Sequence, residues 1–334
     1  MKVYEIQKFD LESLNLVDRP DPEPGANQVL VKMHAWSLNY RDLLTITGRY
    51  NPRLKLPQIP LSDGAGEVVA VGPGVKDFKV GDRVANTFFE RWVSGAATDK
   101  QAITALGAGR DGVLAEYVAL HEDGVISIPD HLTFTEAATL PCAALTAWNA
   151  LVIQGNIKAG DTILTLGTGG VSIFALQFAR LNGAQVIITS SSDEKLKKAA
   201  DLGASQTVNY VQNPNWGKYV RQLTGGRGVD QVVEVGGAGT FNQSIAALRR
   251  GGHCSLIGVL ASGTDVNILP VLMNGIRVQG IFVGSREMFA SMNDAITVHK
   301  MHPVIFRTFG FEEVREAFRL MESSGHFGKI CISK

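Results

Sequence analysis

Cysteine is scarce in this chain: three residues in 334, Cys142, Cys254 and Cys331, far apart and without any Cys-x-x-Cys pair. A disulfide framework is therefore excluded, and a reducing, cytoplasmic setting is expected. Charge of one sign is lacking too. Lys plus Arg and Asp plus Glu both number 32, with no basic cluster, so neither nucleic acid nor an acidic membrane surface is an expected partner. Long apolar runs are missing: the most apolar region, around 162–172, is broken by Gly, Thr and Ser, so no membrane span is expected. The start, Met1-Lys-Val-Tyr-Glu-Ile-Gln-Lys8, mixes charge with apolar residues and shows no signal-peptide core. No Gly-x-Ser-x-Gly elbow and no His-Glu-x-x-His pair occurs, and the seven histidines (34, 121, 131, 253, 299, 302, 326) show no metal-type spacing. Tyr4-x-x-x-Lys8 has the spacing of a short-chain dehydrogenase pair, but it lies inside an expected strand before any nucleotide fold.

What is present is glycine and apolar sequence, 36 Gly and 45% hydrophobic residues, as in a compact α/β protein with room for two domains. The most telling stretch is Thr162-Ile-Leu-Thr-Leu-Gly-Thr-Gly-Gly-Val-Ser172. A short apolar strand ends in Gly167, Thr168, Gly169 and Gly170, and a helical stripe through Val171, Phe174, Ala175 and Phe178 follows. Such a turn leaves the N–H groups of a helix N-terminus clear for a pyrophosphate. Ser172 stands where the Gly-x-Gly-x-x-Gly pattern takes Gly or Ala, so helix and strand would approach slightly less closely.

Before residue 125 the chain is β-rich. Gln28 to Ala35 alternates, Gly66 to Val71 is a short strand, and Lys79-Val-Gly-Asp-Arg-Val84 is a turn entering another. Residues 86–113 lack periodicity and suggest a loop or lid. Thr135 to Ala150 is helix-like with a break at Pro141. Six short strands then alternate with helices: Thr162–Leu166, Gln185–Thr189, Gln206–Tyr210, Val229–Val235, His253–Val259 and Arg277–Val283. That alternation predicts a doubly wound parallel sheet. Two amphipathic helices (286–299 and 312–322) and a final strand, 329–333, close the chain. The expected division is 1–125, 126–285 and 286–334.

In order and spacing, several short motifs resemble the medium-chain dehydrogenase/reductase superfamily, and within it the zinc-free, quinone-oxidoreductase-like branch. They are Asn39-Tyr-Arg-Asp42, Gly48-Arg-Tyr50, Asp63-Gly-Ala-Gly-Glu-Val-Val-Ala-Val-Gly72, Val80-Gly-Asp-Arg-Val84, Ala115-Glu-Tyr-Val118, Leu145-Thr-Ala147, Gly225-Gly-Arg-Gly-Val-Asp230 and Gly325-His-Phe-Gly-Lys329. The resemblance implies a Rossmann domain inserted in a GroES-like β-rich catalytic domain, with the active site in the cleft between them. It also implies a homodimer joined around Arg277–Val283.

In the zinc-dependent members a Cys stands at the position of Asn39 and a His-Glu pair at Ser62 and Asp63, while Cys142 matches a third ligand position. One thiol beside Asn and Ser does not supply the ligand set of tetrahedral zinc, so no metal is expected. NAD-specific Rossmann sites carry a carboxylate after the second strand; here the sequence reads Thr189-Ser190-Ser191-Ser192, followed by Lys195. Hydroxyls and a lysine suit a 2′-phosphate, so NADPH is favoured and NADH remains possible. The same residues also make an ordinary N-cap and a solvated lysine. By resemblance Tyr210 reaches that phosphate, Gly236, Gly258 and Val259 line the carboxyl edge, and Phe282, Val283 and Lys329 lie on the nicotinamide side. Asn39 and Tyr50 would orient nicotinamide or substrate, and Asp42 would brace their loop. The expected reaction is metal-free hydride transfer to a small molecule, a quinone or α,β-unsaturated carbonyl. A zinc-type alcohol dehydrogenase and a non-catalytic dinucleotide-binding protein are the alternatives.

Overall fold

The computed structural model describes residues 1–258, 260, 261, 263 and 265–334. It divides into two compact units, Met1–Leu145 with Val283–Lys334, and Thr146–Phe282.

The first unit is built on a mostly antiparallel sheet. Its neighbours run Ile305–Gly310, Lys329–Ser333, Gln28–Ser37, Gly64–Val71, Arg83–Asn86 and Val125–Ser127, and Tyr117–His121 also pairs with Gln28–Ser37. A separate hairpin joins Lys2–Ile6 to Leu14–Asp18. The period-two pattern of Gln28–Ser37 buries Val29, Val31, Met33 and Ala35 on one face, as alternation dictates. Trp36 breaks the alternation and is buried as well, its ring 4.8 Å from that of Phe311.

The first division falls twenty residues later than 125/126, because Val125–Ser127 pairs with Arg83–Asn86 and keeps the chain in the first sheet. Beyond it, Phe134 stacks on His34 at 4.6 Å and lies under the guanidinium of Arg83. The second division falls at 282/283 rather than 285/286. Residues 86–113 contain one short helix, Asp99–Ala102, yet they are packed: Phe88, Phe89, Trp92, Leu106 and Val113 are buried.

The second unit carries six parallel strands in the order Gln206–Asn209, Gln185–Ser190, Thr162–Leu166, Val229–Glu234, Leu248–Leu256 and Arg277–Gly280. In chain order that is 3-2-1-4-5-6, the doubly wound dinucleotide-binding topology. Val229–Glu234 is buried at every position, as a parallel strand covered on both faces must be. Among the described residues no helix is long and apolar enough to cross a membrane.

Candidate active site

In the second unit the strand Thr162–Leu166 ends at Gly167 (φ 69°), and the helix Gly170–Leu181 starts two residues after Thr168, with Gly169 as its N-cap. A Cβ built on Gly167 or Gly169 would meet no described atom within 4 Å. That is an open cradle, and a glycine there keeps the helix N–H groups accessible to an anion. The buried Ser172 donates its hydroxyl to the carbonyl of Leu166 at 2.6 Å, tying the helix start to the strand end. The residue that departs from the glycine pattern thus carries a satisfied polar group.

After the second strand, Ser190 Oγ accepts from the N–H of Ser192 (3.2 Å) and Ser192 Oγ caps the next helix by accepting from the N–H of Lys195 (3.3 Å). Each hydroxyl acts as an acceptor, which leaves its own proton to donate. Lys195 is half-buried, and desolvation holds its ammonium below the ordinary lysine range. The nearby Asp193 is engaged: its carboxylate accepts from Asn209 Nδ2 (2.7 Å) and Gln212 Nε2 (3.1 Å). Tyr210 follows the third strand and is exposed.

At the carboxyl edge, the buried Glu234 carboxylate accepts from the N–H groups of Gly236 (2.7 Å) and Gly237 (2.9 Å) and from the hydroxyl of Thr240 (2.7 Å). Gly258 is required by close approach: a Cβ there would lie 1.9 Å from the carbonyl of Val235. Val259 lies outside the described residues. Phe282 is exposed, whereas Val283 is buried in the first unit with a positive φ of 55°.

In the first unit the structure gathers residues that sequence reading had assigned to separate roles. Asn39 precedes the helix Tyr40–Ile46, and its N–H donates to Asp42 Oδ2 at 2.8 Å. Lys329 opens the last strand and is 3% exposed; its Nζ donates to the carbonyl of Leu38 (2.6 Å) and to Asn39 Oδ1 (2.7 Å). Asp63 accepts from Ser62 Oγ (2.7 Å) and from the N–H of Cys142 (3.1 Å). The Asn39 amide nitrogen is buried with no described partner at hydrogen-bond distance. Asn39 therefore holds the ammonium through Oδ1, which fixes the orientation of its amide.

Burial dominates the electrostatics of this cluster. It pushes Asp42 up to about 6, with Arg41 opposing and Asp63 adding to the rise. Asp63 is raised for the same reason, opposed first by Lys329. The Cys142 thiol is raised far above the ordinary range, first by burial and then by Asp63, although solvent touches part of the residue. Arg41 donates to the carbonyl of Leu106 (2.6 Å) and lies 4.4 Å above the ring of Phe88 and 5.7 Å from that of Tyr50. Tyr50 itself is 40% exposed.

This donor set does not fit zinc. Zinc takes deprotonated thiolate, neutral imidazole and carboxylate ligands. Here a single thiol stands with Asn39 and Ser62, the Asp63 carboxylate is already engaged by Ser62 and by the N–H of Cys142, and an ammonium bonds to the residue at the first ligand position. Among the described residues no group of three His, Cys, Asp or Glu is placed to hold a metal ion. The nucleotide cradle of the second unit, by contrast, fits a pyrophosphate.

Comparison with known proteins defines the class. Residues 25–130 match the family described as alcohol dehydrogenase GroES-like domain, and residues 170–298 the family described as zinc-binding dehydrogenase. A "zinc-type alcohol dehydrogenase-like protein" of Schizosaccharomyces pombe is 45% identical over 92% of this chain and 91% of its own. A solved NAD-dependent alcohol dehydrogenase superimposes with a TM-score of 0.91 at 35% identity, over the whole of both chains. The quinone oxidoreductase of Coxiella burnetii does so with 0.82 at 29% identity, over 100% of this chain and 99% of its own. The chain belongs to the medium-chain dehydrogenase/reductase superfamily, as an α/β oxidoreductase with a GroES-like domain and a Rossmann domain, and that membership implies a nicotinamide cofactor.

Proposed function

We propose that this protein is an NADPH-dependent, metal-independent oxidoreductase of quinones or α,β-unsaturated carbonyls. The observation that carries the reading is the ammonium of Lys329, hydrogen-bonded at 2.7 Å to the residue that stands where zinc-dependent relatives place a Cys ligand. A cation and an amide in that place supply hydrogen-bond donors rather than metal ligands. Without a Lewis acid the acceptor must delocalise the charge it receives, which quinones and enones do and simple ketones do not. The names of its relatives divide between alcohol dehydrogenase and quinone oxidoreductase; the donor set favours the second.

When bound, the cofactor supplies the hydride. The chain's part is to bind and orient. The turn Gly167–Thr168–Gly169–Gly170–Val171 would hold the pyrophosphate, with Gly236 and Gly258 at the edge of the sheet. Ser190, Ser192, Lys195 and Tyr210 would hold the 2′-phosphate, since the carboxylate of Asp193 is already occupied by two amides. Phe282, Val283 and Lys329 would lie toward the nicotinamide. Asn39 and Tyr50 would orient the reacting groups, with Asp42 fixing Asn39 through its N–H. A homodimer and a cytoplasmic location complete the proposal.

The test is NADPH oxidation across a panel of quinones, enones and simple ketones, with reduction of NADP⁺ by simple alcohols as the reverse assay, each repeated with NADH or NAD⁺. Turnover of quinones or enones with NADPH preferred is expected. Turnover confined to alcohols and ketones would overturn the reading.

A further inference from the structure

Resting on that reductase reading, the geometry points to Lys329 as the group that takes over the metal's work: its ammonium donates to the oxygen of the quinone or conjugated carbonyl and holds the charge that forms there. An ammonium has three N–H donors. Among the described residues Nζ has two acceptors, Leu38 O and Asn39 Oδ1, and one donor is left over. The residue is 3% exposed, so water screens its charge little. Asn39, 8% exposed, has an amide nitrogen with no described partner at hydrogen-bond distance, so a second donor lies on the side chain that grips Nζ.

Burial raises both neighbouring carboxylates, Asp42 and Asp63, and the ammonium of Lys329 opposes that rise at each, so the three groups form one charge cluster. Solvent still reaches part of Cys142, whose thiol lies within the field of Lys329 and of both carboxylates, so the cluster is not sealed. A donor fixed in a dry site before reaction is what stabilises a developing oxyanion, since no reorganisation is needed as charge arrives.

The step balances simply. Hydride from a dihydronicotinamide joins the β-carbon of an enone, whose π pair shifts to the carbonyl oxygen, or one carbonyl oxygen of a quinone, whose π pairs shift to the other oxygen. The enolate or hydroquinone anion rests on the ammonium, and water then supplies its proton. The dihydronicotinamide is oxidised and the acceptor reduced by two electrons.

The experiment uses p-nitrophenol as an oxyanion probe on the cofactor-free protein, because its ionisation is read by absorbance independently of turnover. Wild type, Lys329→Arg and the charge-balanced pair Lys329→Met with Asp63→Asn are compared; the pair avoids leaving a buried carboxylate unmatched. Bound probe on wild type is expected to be about tenfold more ionised than free probe at the same pH, with Lys329→Arg retaining most of the effect and the double variant losing it. Quinone kcat at saturating cofactor should fall about 100-fold in the double variant, well beyond any change in Kd for NADPH. Equal ionisation in wild type and double variant, or no binding of the probe to wild type, would overturn the assignment. So would a weakened NADPH Kd with kcat unchanged, which would make Lys329 a cofactor contact only. If wild type reduces no quinone or enone, the reductase reading fails, while the probe still decides whether Lys329 is an oxyanion donor.

Discussion

The proposed chemistry turns on one contact between positions 290 residues apart, Lys329 and Asn39. Sequence patterns singled out both, the asparagine as an orienting group and the lysine as a cofactor contact, but gave no sign that they meet. Ser62 and Asp63 are legible in sequence only as places where zinc ligands are missing, and Cys142 only as a match to a third ligand position. Burial and a second strand bring them together, and neither is encoded in local spacing. Burial also sets a pH dependence. Asp42 binds its proton more tightly folded than unfolded, with a pKa of about 6 against 3.8. Its contribution to stability is therefore fully present below pH 4 and is lost as pH rises through 6. Asp42→Asn keeps an oxygen for the N–H of Asn39 but removes the titration. The stability of the variant relative to wild type should rise between pH 4 and pH 7 by as much as about 3 kcal/mol. Urea unfolding across that range checks it, and a difference constant with pH would contradict the assignment.

Among the elements, the long buried ones were readable and the short exposed ones were not. The strands at 162, 185 and 229 and the helix Arg286–His299 agree with expectation to within a residue or two, because each is a near-continuous apolar run or has a clear helical period. Tyr117–His121 and Ile305–Gly310 escaped notice: most of their positions are only part-buried or exposed, which blurs the alternation. Leu248–Leu256 starts five residues earlier than expected, since Gly251 and Gly252 look like a turn but lie within the strand. The stretch expected as one interrupted helix, 135–150, is a short helix, Phe134–Ala137, followed by a continuous helical run from Leu140 to Gln154 with π-helical ends and Pro141 in its first turn, where a missing N–H is tolerated. The glycine turn gives an element-level prediction. Gly169 has a negative φ and an empty surrounding, so Gly169→Val should fold with an unchanged Tm in the absence of cofactor. Its side chain would occupy the cradle, raising Kd for NADPH at least about tenfold. Fluorescence titration and thermal unfolding separate the two effects, and unweakened binding would remove the cradle from its proposed role.

The whole molecule leaves a parallel strand, Arg277–Gly280, at the edge of the Rossmann sheet with all four residues exposed. Beside it in sequence Ile268, Leu269, Leu272 and Met273 are between 58% and 77% exposed. An unpaired edge with apolar neighbours is where a second copy would pair, and it supports the proposed homodimer. Light scattering during size exclusion should give twice 35.9 kDa at micromolar concentration, and Leu272→Glu with Val278→Lys should give the monomer. A monomeric wild type would refute the dimer.

The absence of a catalytic metal is the claim on which the chemistry rests, and it is tested most directly by measuring zinc per chain alongside turnover. Protein purified without chelator, then dialysed against one, should contain far less than one zinc per chain and reduce its quinone or enone at an unchanged rate. One equivalent of tightly bound zinc, with activity lost on its removal and restored on its return, would contradict the account.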